Sequence, residues 1–312
     1  MITRMIRVHV LRCIVLLTLA FGAQVMAQPV TTRDPAPQSV DDLSRQVTKL
    51  KTLVYDPHAR FSASVILAQL RDLQTFASNR SDSAAGLRDT YLMIGNIEKK
   101  VGKDSYARAA YEQGLAIDTQ PALPPHRAAV ANWDLAELLS DAKVYPASAK
   151  YYRLAMQHAA GVSTITEDQR LGIRQQLGFV LHEADRFSEA LEINLALLPE
   201  GEALHGRDSD LLRGIITNIA QNLHALGRKD EADPYLARAI ALAKSAGKVW
   251  NEQGLLFQRG VLAFERGRHD DARRFMRERI ALVMRHNRKD LNVSAREDLT
   301  ILEDKILRGA KK

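Results

Sequence analysis

The stretch LGFVLHEADRFSEAL, residues 177–191, decides the fold. A small residue, Gly178, is followed twelve positions later by a second, Ala190, and Asp185 punctuates the turn between them. The same arrangement recurs at Gly95 and Ala107, Ala136 and Ser148, Ala220 and Ala232, and Gly260 and Ala272. Four positions after each second small residue stands Tyr111, Tyr152, Asn194, Leu236 or Met276, a large apolar residue in every copy but one. Each copy predicts two helices joined by a short turn. The first small residue lets the second helix come close, and the second small residue answers it from the facing helix. The bulky residue one turn later is expected to fill space against the neighbouring repeat. Gly102, Asp141, Asp185, Gly227 and Gly267 are the expected turn residues.

The second small residues fall at 107, 148, 190, 232 and 272, steps of 41, 42, 42 and 40. Five copies in series resemble the tetratricopeptide repeat family, whose usual period is about 34 residues. The longer period resembles that of long-helix members among peptide-responsive regulators and motor light chains. The resemblance implies an all-α fold, a right-handed α-α superhelical solenoid of helix pairs, with repeats over 87–292. Composition agrees: Ala, Leu, Lys, Arg and Glu make up 45% of the 312 residues, near that of long helices. No convincing strand alternation is present.

Outside the repeats, Leu43, Val47, Leu50 and Val54, then Ile66, Leu70 and Leu73, step by three or four. An N-terminal capping pair is expected within 41–86, and a closing helix and tail over 293–312. Pro121, Pro124, Pro125 and Pro199 are expected between copies, and Pro146 and Pro234 near the starts of second helices. The segment 28–40 reads as a flexible leader.

Residues 1–27 have the layout of a secretory signal peptide. Arg4, Arg7 and Arg12 precede an apolar run that closes on Val25-Met26-Ala27, with cleavage expected after Ala27. Cys13–Ala23 is only eleven residues, whereas a membrane span needs about twenty. Removal of this segment takes away the single cysteine and leaves 41 basic and 37 acidic residues, a net charge of +4 instead of +7. The expected address is the periplasm, across the inner membrane. A nucleic-acid partner is not expected at that charge.

The sequence holds no phosphate-binding glycine loop, no H-E-x-x-H and no G-x-S-x-G. His182-Glu183 has no second histidine four residues on. No catalytic residue, metal or cofactor is therefore expected, and the chain does not read as an enzyme. What remains is surface. The resemblance implies that first helices line a groove, and matched copy by copy the groove positions include Trp133, Gln175, Phe179, His182, Gln221, His224 and Phe257. Aromatics with amides suit an extended peptide, since rings supply contact area and amides pair with backbone groups. A second feature is basic: residues 266–289 carry nine basic and three acidic side chains. On one helical wheel Arg274, Arg277, Arg285 and Arg288 share an arc, a candidate patch for an acidic protein or an anionic membrane surface. The expected function is that of an exported scaffold binding a protein or peptide partner. The alternative is an envelope sensory module that binds a ligand and signals through a separate membrane protein.

Overall fold

Helix starts and stops are set by local chemistry. Ser39 accepts the Asp42 N–H at 3.1 Å and opens α1 (Val40–Tyr55), with Asp41 and Asp42 against the positive end of the helix dipole. Thr166 and Gln169 form a reciprocal capping box at 3.2 and 2.8 Å. They start α7 (Glu167–Glu183). Pro125 opens α5 (Pro125–Asp141), where its missing N–H costs nothing. The computed structural model describes residues 32–309, so the expected signal peptide, with Cys13 and the cleavage point at Ala27, lies outside the described residues.

Among the described residues thirteen α-helices follow one another without a β-strand. After α1 comes α2 (Ala63–Ser78), then the pairs α3 (Ala84–Lys100) with α4 (Asp104–Ala116) and α5 with α6 (Tyr145–Ala159). Next are α7 with α8 (Phe187–His205), α9 (Arg213–Ala225) with α10 (Lys229–Ser245), and α11 (Val249–Glu265) with α12 (His269–Arg285). The chain closes on α13 (Lys289–Gly309). Each helix packs on its predecessor and its successor, which is the contact pattern of a solenoid.

The small residues do what their spacing implies. Ala107, Ser148, Ala190, Ala232 and Ala272 are all fully buried. Ser148 donates its hydroxyl to the Ala136 carbonyl at 2.7 Å, joining the two small positions of one copy. The bulky residue does two things: it lies over the first small residue of its own helix pair, and as expected it reaches the next repeat, Tyr111 donating to Asp134 of α5 at 3.0 Å and Tyr152 sharing a core with Ile173 and Leu177 of α7. A Cβ on Gly95 would lie 3.0 Å from the Tyr111 ring, one on Gly178 2.6 Å from Asn194 Nδ2, and one on Gly260 2.9 Å from Met276 Cε.

Three expectations are corrected. The left-handed turn residue of the second copy is Lys143 (φ 60°), not Asp141, which is the last residue of α5. Pro199 sits inside α8 instead of between copies, and Pro234 sits inside α10. The described part of the leader, 32–39, is held against the opening pair. Lys49 binds Asp34 at 2.6 Å, Gln69 donates to Asp34 at 3.1 Å, Gln46 donates to the Pro35 carbonyl at 3.0 Å, and Pro37 is buried.

Candidate functional site

The first helices α1, α3 and α5 bring side chains from one face of each to a common place. On α1, Lys51 and Tyr55 are one turn apart; on α3, Leu92, Asn96 and Lys99 share a stripe; on α5, Arg127, Val130 and Asp134 do the same. With Tyr111 of α4 all of these but Lys99 line a cavity of about 330 Å³. Two glycines permit this closeness, because a Cβ on Gly95 or Gly114 would strike Tyr111 or Leu92.

One side of the cavity is an ion-pair chain. Buried Asp89 accepts from Lys51 at 2.9 Å and from Arg127 at 2.8 Å, so it ties α1 to α3 and α3 to α5. Arg127 also donates to the Tyr55 hydroxyl at 3.3 Å and lies 5.1 Å from that ring's centroid. Burial raises the Tyr55 phenol above its ordinary value, against the opposing pull of Arg127.

The other side is built around Asp134. It accepts from Tyr111 at 3.0 Å and from Lys99, which also binds Glu137 at 2.7 Å. Burial, and then the Asp134 charge, push the Tyr111 phenol well up, so it stays a donor. Burial alone would lower the Lys99 ammonium, but Asp134 and Glu137 outweigh it and keep the charge in place. Between the two sides, Asn96 Oδ1 is buried without a hydrogen-bond partner. The cavity thus offers apolar walls, two phenols and cations already neutralised by carboxylates, with the unpaired Asn96 oxygen buried beside them. It is suited to a polar but uncharged group such as a peptide unit.

The sequence-predicted groove residues lie elsewhere, and they do not form one continuous lining. Trp133 and Phe179 are half-buried against the core shared by α5, α6, α7 and α8. The Trp133 indole N–H is buried without a partner. Phe257 packs in the core of α11, α12 and α13 beneath the Arg279 guanidinium, 5.0 Å from its centroid. The Gln175 amide lies against Gly214 of α9. His182 Nδ1 donates to Asn222 Oδ1 at 2.8 Å, Gln221 donates to Gln258 at 3.4 Å, and His224 Nε2 donates to Glu265 at 2.6 Å. These three therefore bind the next first helix.

The basic set is also divided. Arg274 pairs with Asp271 at 2.7 Å and Arg277 with Glu303 at 3.9 Å. Arg285 ends α12. Arg288 lies beyond the turn at Asn287 (φ 51°), so it does not share the helical wheel of the other three. Among the described residues no group of three or more His, Cys, Asp or Glu side chains is arranged to hold a metal ion.

The tetratricopeptide repeat model matches residues 214–245, most of α9 and all of α10. No curated protein matches the chain in sequence. Among solved structures, BtubC (BKLC) from P. vanneervenii is similar with a TM-score of 0.54 at 17% identity, over 78% of this chain and 92% of that one. The apo form of RapI gives 0.54 at 15% identity, over 67% and 74%. A Rap protein complexed with competence and sporulation factor gives 0.51 at 13% identity, over 88% and 74%. At these identities the likeness is one of fold. A repeat matched to the family model, five buried copies of the small-residue pattern and this fold together make the chain a solenoid of helix pairs similar to tetratricopeptide repeats, with a period of 40–42 residues.

Proposed function

We propose that the chain is an exported, periplasmic scaffold that binds an extended segment of a protein partner along its first helices, without a chemical step. The cavity between α1, α3, α4 and α5 is the anchor for that segment. The observation that carries the reading is that Asn96, whose Oδ1 is a buried acceptor with no donor, belongs to the lining of a cavity with phenol and apolar surfaces. A turn of the Asn96 amide toward the cavity would let a backbone N–H of a bound peptide supply the missing donor. A solenoid of similar fold holds a factor in the Rap complex, which makes the use of such a surface plausible on fold grounds. The layout of residues 1–27 supports export.

Display of random peptides on the full chain, followed by affinity measurement of the selected peptide, tests the anchor. Asn96→Leu removes the acceptor while keeping the volume. It is expected to weaken the peptide by about five- to thirtyfold, the cost of one unmade buried hydrogen bond. The melting temperature should hold or rise, because an unsatisfied polar group disappears with it. Unchanged affinity would remove the cavity from the binding surface. The sensory alternative is favoured by one feature: the cavity has walls from four helices and a size at the small end of ligand pockets. A thermal shift produced by a small metabolite, lost in Asn96→Leu, would select that reading instead.

A further inference from the structure

We propose that the edge of the solenoid made by the last turns of α10 and α12 and the first turns of α11 and α13 is a docking surface for an anionic phospholipid bilayer. Two large side chains on this edge face water: Trp250, 39% exposed, and Met284, 53% exposed. Around them are cations. Segments 244–250 and 284–290 contain five basic residues and one acid, with His286 in addition. The single acid, Asp290, is taken by Arg288 at 2.7 Å, and the Arg288 guanidinium lies 5.7 Å from the Trp250 ring.

Lys244, Lys248 and Arg285 have no acidic partner among the described residues. Glu252, on the first turn of α11, is the nearest further acid along the chain. Arg296 reaches back to the Met284 sulfur at 3.7 Å, which adds another cation beside the exposed thioether.

The same edge one repeat earlier is different. Residues 200–213 carry four acids and two arginines, and Glu200, Glu202 and Asp210 are paired with Arg174, Arg238 and Arg213. The positive field therefore begins at the last two repeats. Unpaired cations beside an exposed indole and thioether match a charged headgroup layer over an apolar interior, because indole rings settle at that boundary while cations stay with the phosphates. An acidic protein segment would need the cations but would leave Trp250 and Met284 without a role. Among the described residues no helix is long and apolar enough to cross a membrane, so the contact proposed is peripheral.

The test uses the full chain with Trp133→Phe, which leaves Trp250 as the sole tryptophan, excited selectively at the red edge of the absorption band. Vesicles of phosphatidylcholine containing one third phosphatidylglycerol are compared with vesicles of phosphatidylcholine alone. The segment 1–27 is common to every variant, so differences between variants report on the edge. Binding to the anionic vesicles with a blue shift of Trp250 emission, weakened by salt, is expected. The triple variant Lys244→Gln, Lys248→Gln, Arg285→Gln should lose roughly a hundredfold in partition, from about fivefold for each charge. Its melting curve serves as the folding control, and single Arg285→Gln should lose about fivefold. Equal binding to both vesicle types, or a triple variant as good as the parent, would overturn the proposal. Capture of polyglutamate without vesicle binding would also overturn it and assign the edge to an acidic protein.

Discussion

Lys143 and Asp185 occupy a left-handed backbone conformation that costs an L-residue about 1 kcal/mol relative to glycine. The three sister positions, Gly102, Gly227 and Gly267, are glycines with φ of 72–76°. The conformation is imposed by the helix ending. Val144 N–H returns to the Leu139 carbonyl at 2.8 Å, and Arg186 N–H to Leu181 at 2.9 Å, the closing bond that requires a left-handed residue just before it. Lys143→Gly is therefore expected to stabilise the protein by about 1 kcal/mol, seen as a higher urea midpoint at unchanged slope. Gly227→Ala should do the reverse by a similar amount. A lower midpoint for Lys143→Gly would mean that the lysine side chain makes a contact worth more than the strain. Turn chemistry favoured Asp141 over Lys143 in the sequence, since aspartate is the better turn former. The register held the correct signal, because the left-handed residue inside each of the five helix pairs lies five positions before the second small residue.

Matched positions on successive first helices carry the bonds that hold the repeats in line. Lys99, His182 and His224 stand at equivalent places, and each binds the first helix of the next repeat, through Asp134 and Glu137, Asn222, and Glu265 respectively. Equivalence of the two histidines was readable from their 42-residue spacing. Their partners were not, because which faces of two first helices meet depends on the rotation between repeats, and no local spacing reports it. The same rotation turns Trp133 and Phe257 into the core.

Glu265 joins α9, α10 and α11, accepting from His224 at 2.6 Å and from Lys229 at 3.1 Å. Burial would raise its carboxyl, but these two hydrogen bonds outweigh it and hold it below its ordinary 4.5. Asp233 is likewise lowered from 3.8, burial being outweighed by Arg259 at 2.7 Å. A carboxylate depressed in the folded state contributes stability that is complete above its unfolded value and lost as pH falls through the folded one. The melting temperature is therefore expected to fall steeply below about pH 4.5. The pair Glu265→Gln and Asp233→Asn should start lower at neutral pH and lose less between about pH 5 and 3. Parallel curves for parent and variant would show that these two groups do not set the acid limit.

A repeat protein is close to a one-dimensional object, in which each pair of helices is stabilised by its neighbours. That is why the sequence conveyed so much of the architecture: a 40–42-residue register of small residues states the helix pairs and their order. It conveyed little of the cavity, for the same reason. The cavity depends on α1, which carries no copy of the repeat pattern, and on Asp89, whose two cations, Lys51 and Arg127, lie 38 residues to either side. Lys51, Tyr55 and Arg127 had no spacing to mark them.

Quasi-one-dimensional order also gives the Asp89 junction a distinctive consequence. Asp89 is buried, and Arg88 lies beside it at 3.7 Å, so Asp89→Ala leaves several cations facing one another at the N-terminal end. Breaking such a buried pair costs about 3 kcal/mol. In a solenoid coupled only through nearest neighbours, that loss stays local. Hydrogen exchange of Asp89→Ala should accelerate the amides of α1, α3 and α5 by up to roughly a hundredfold while those of α10, α11 and α12 keep their rates. Equal acceleration from α1 to α12 would show that the repeats unfold as one unit, and would move the source of cooperativity from neighbouring contacts to the whole array.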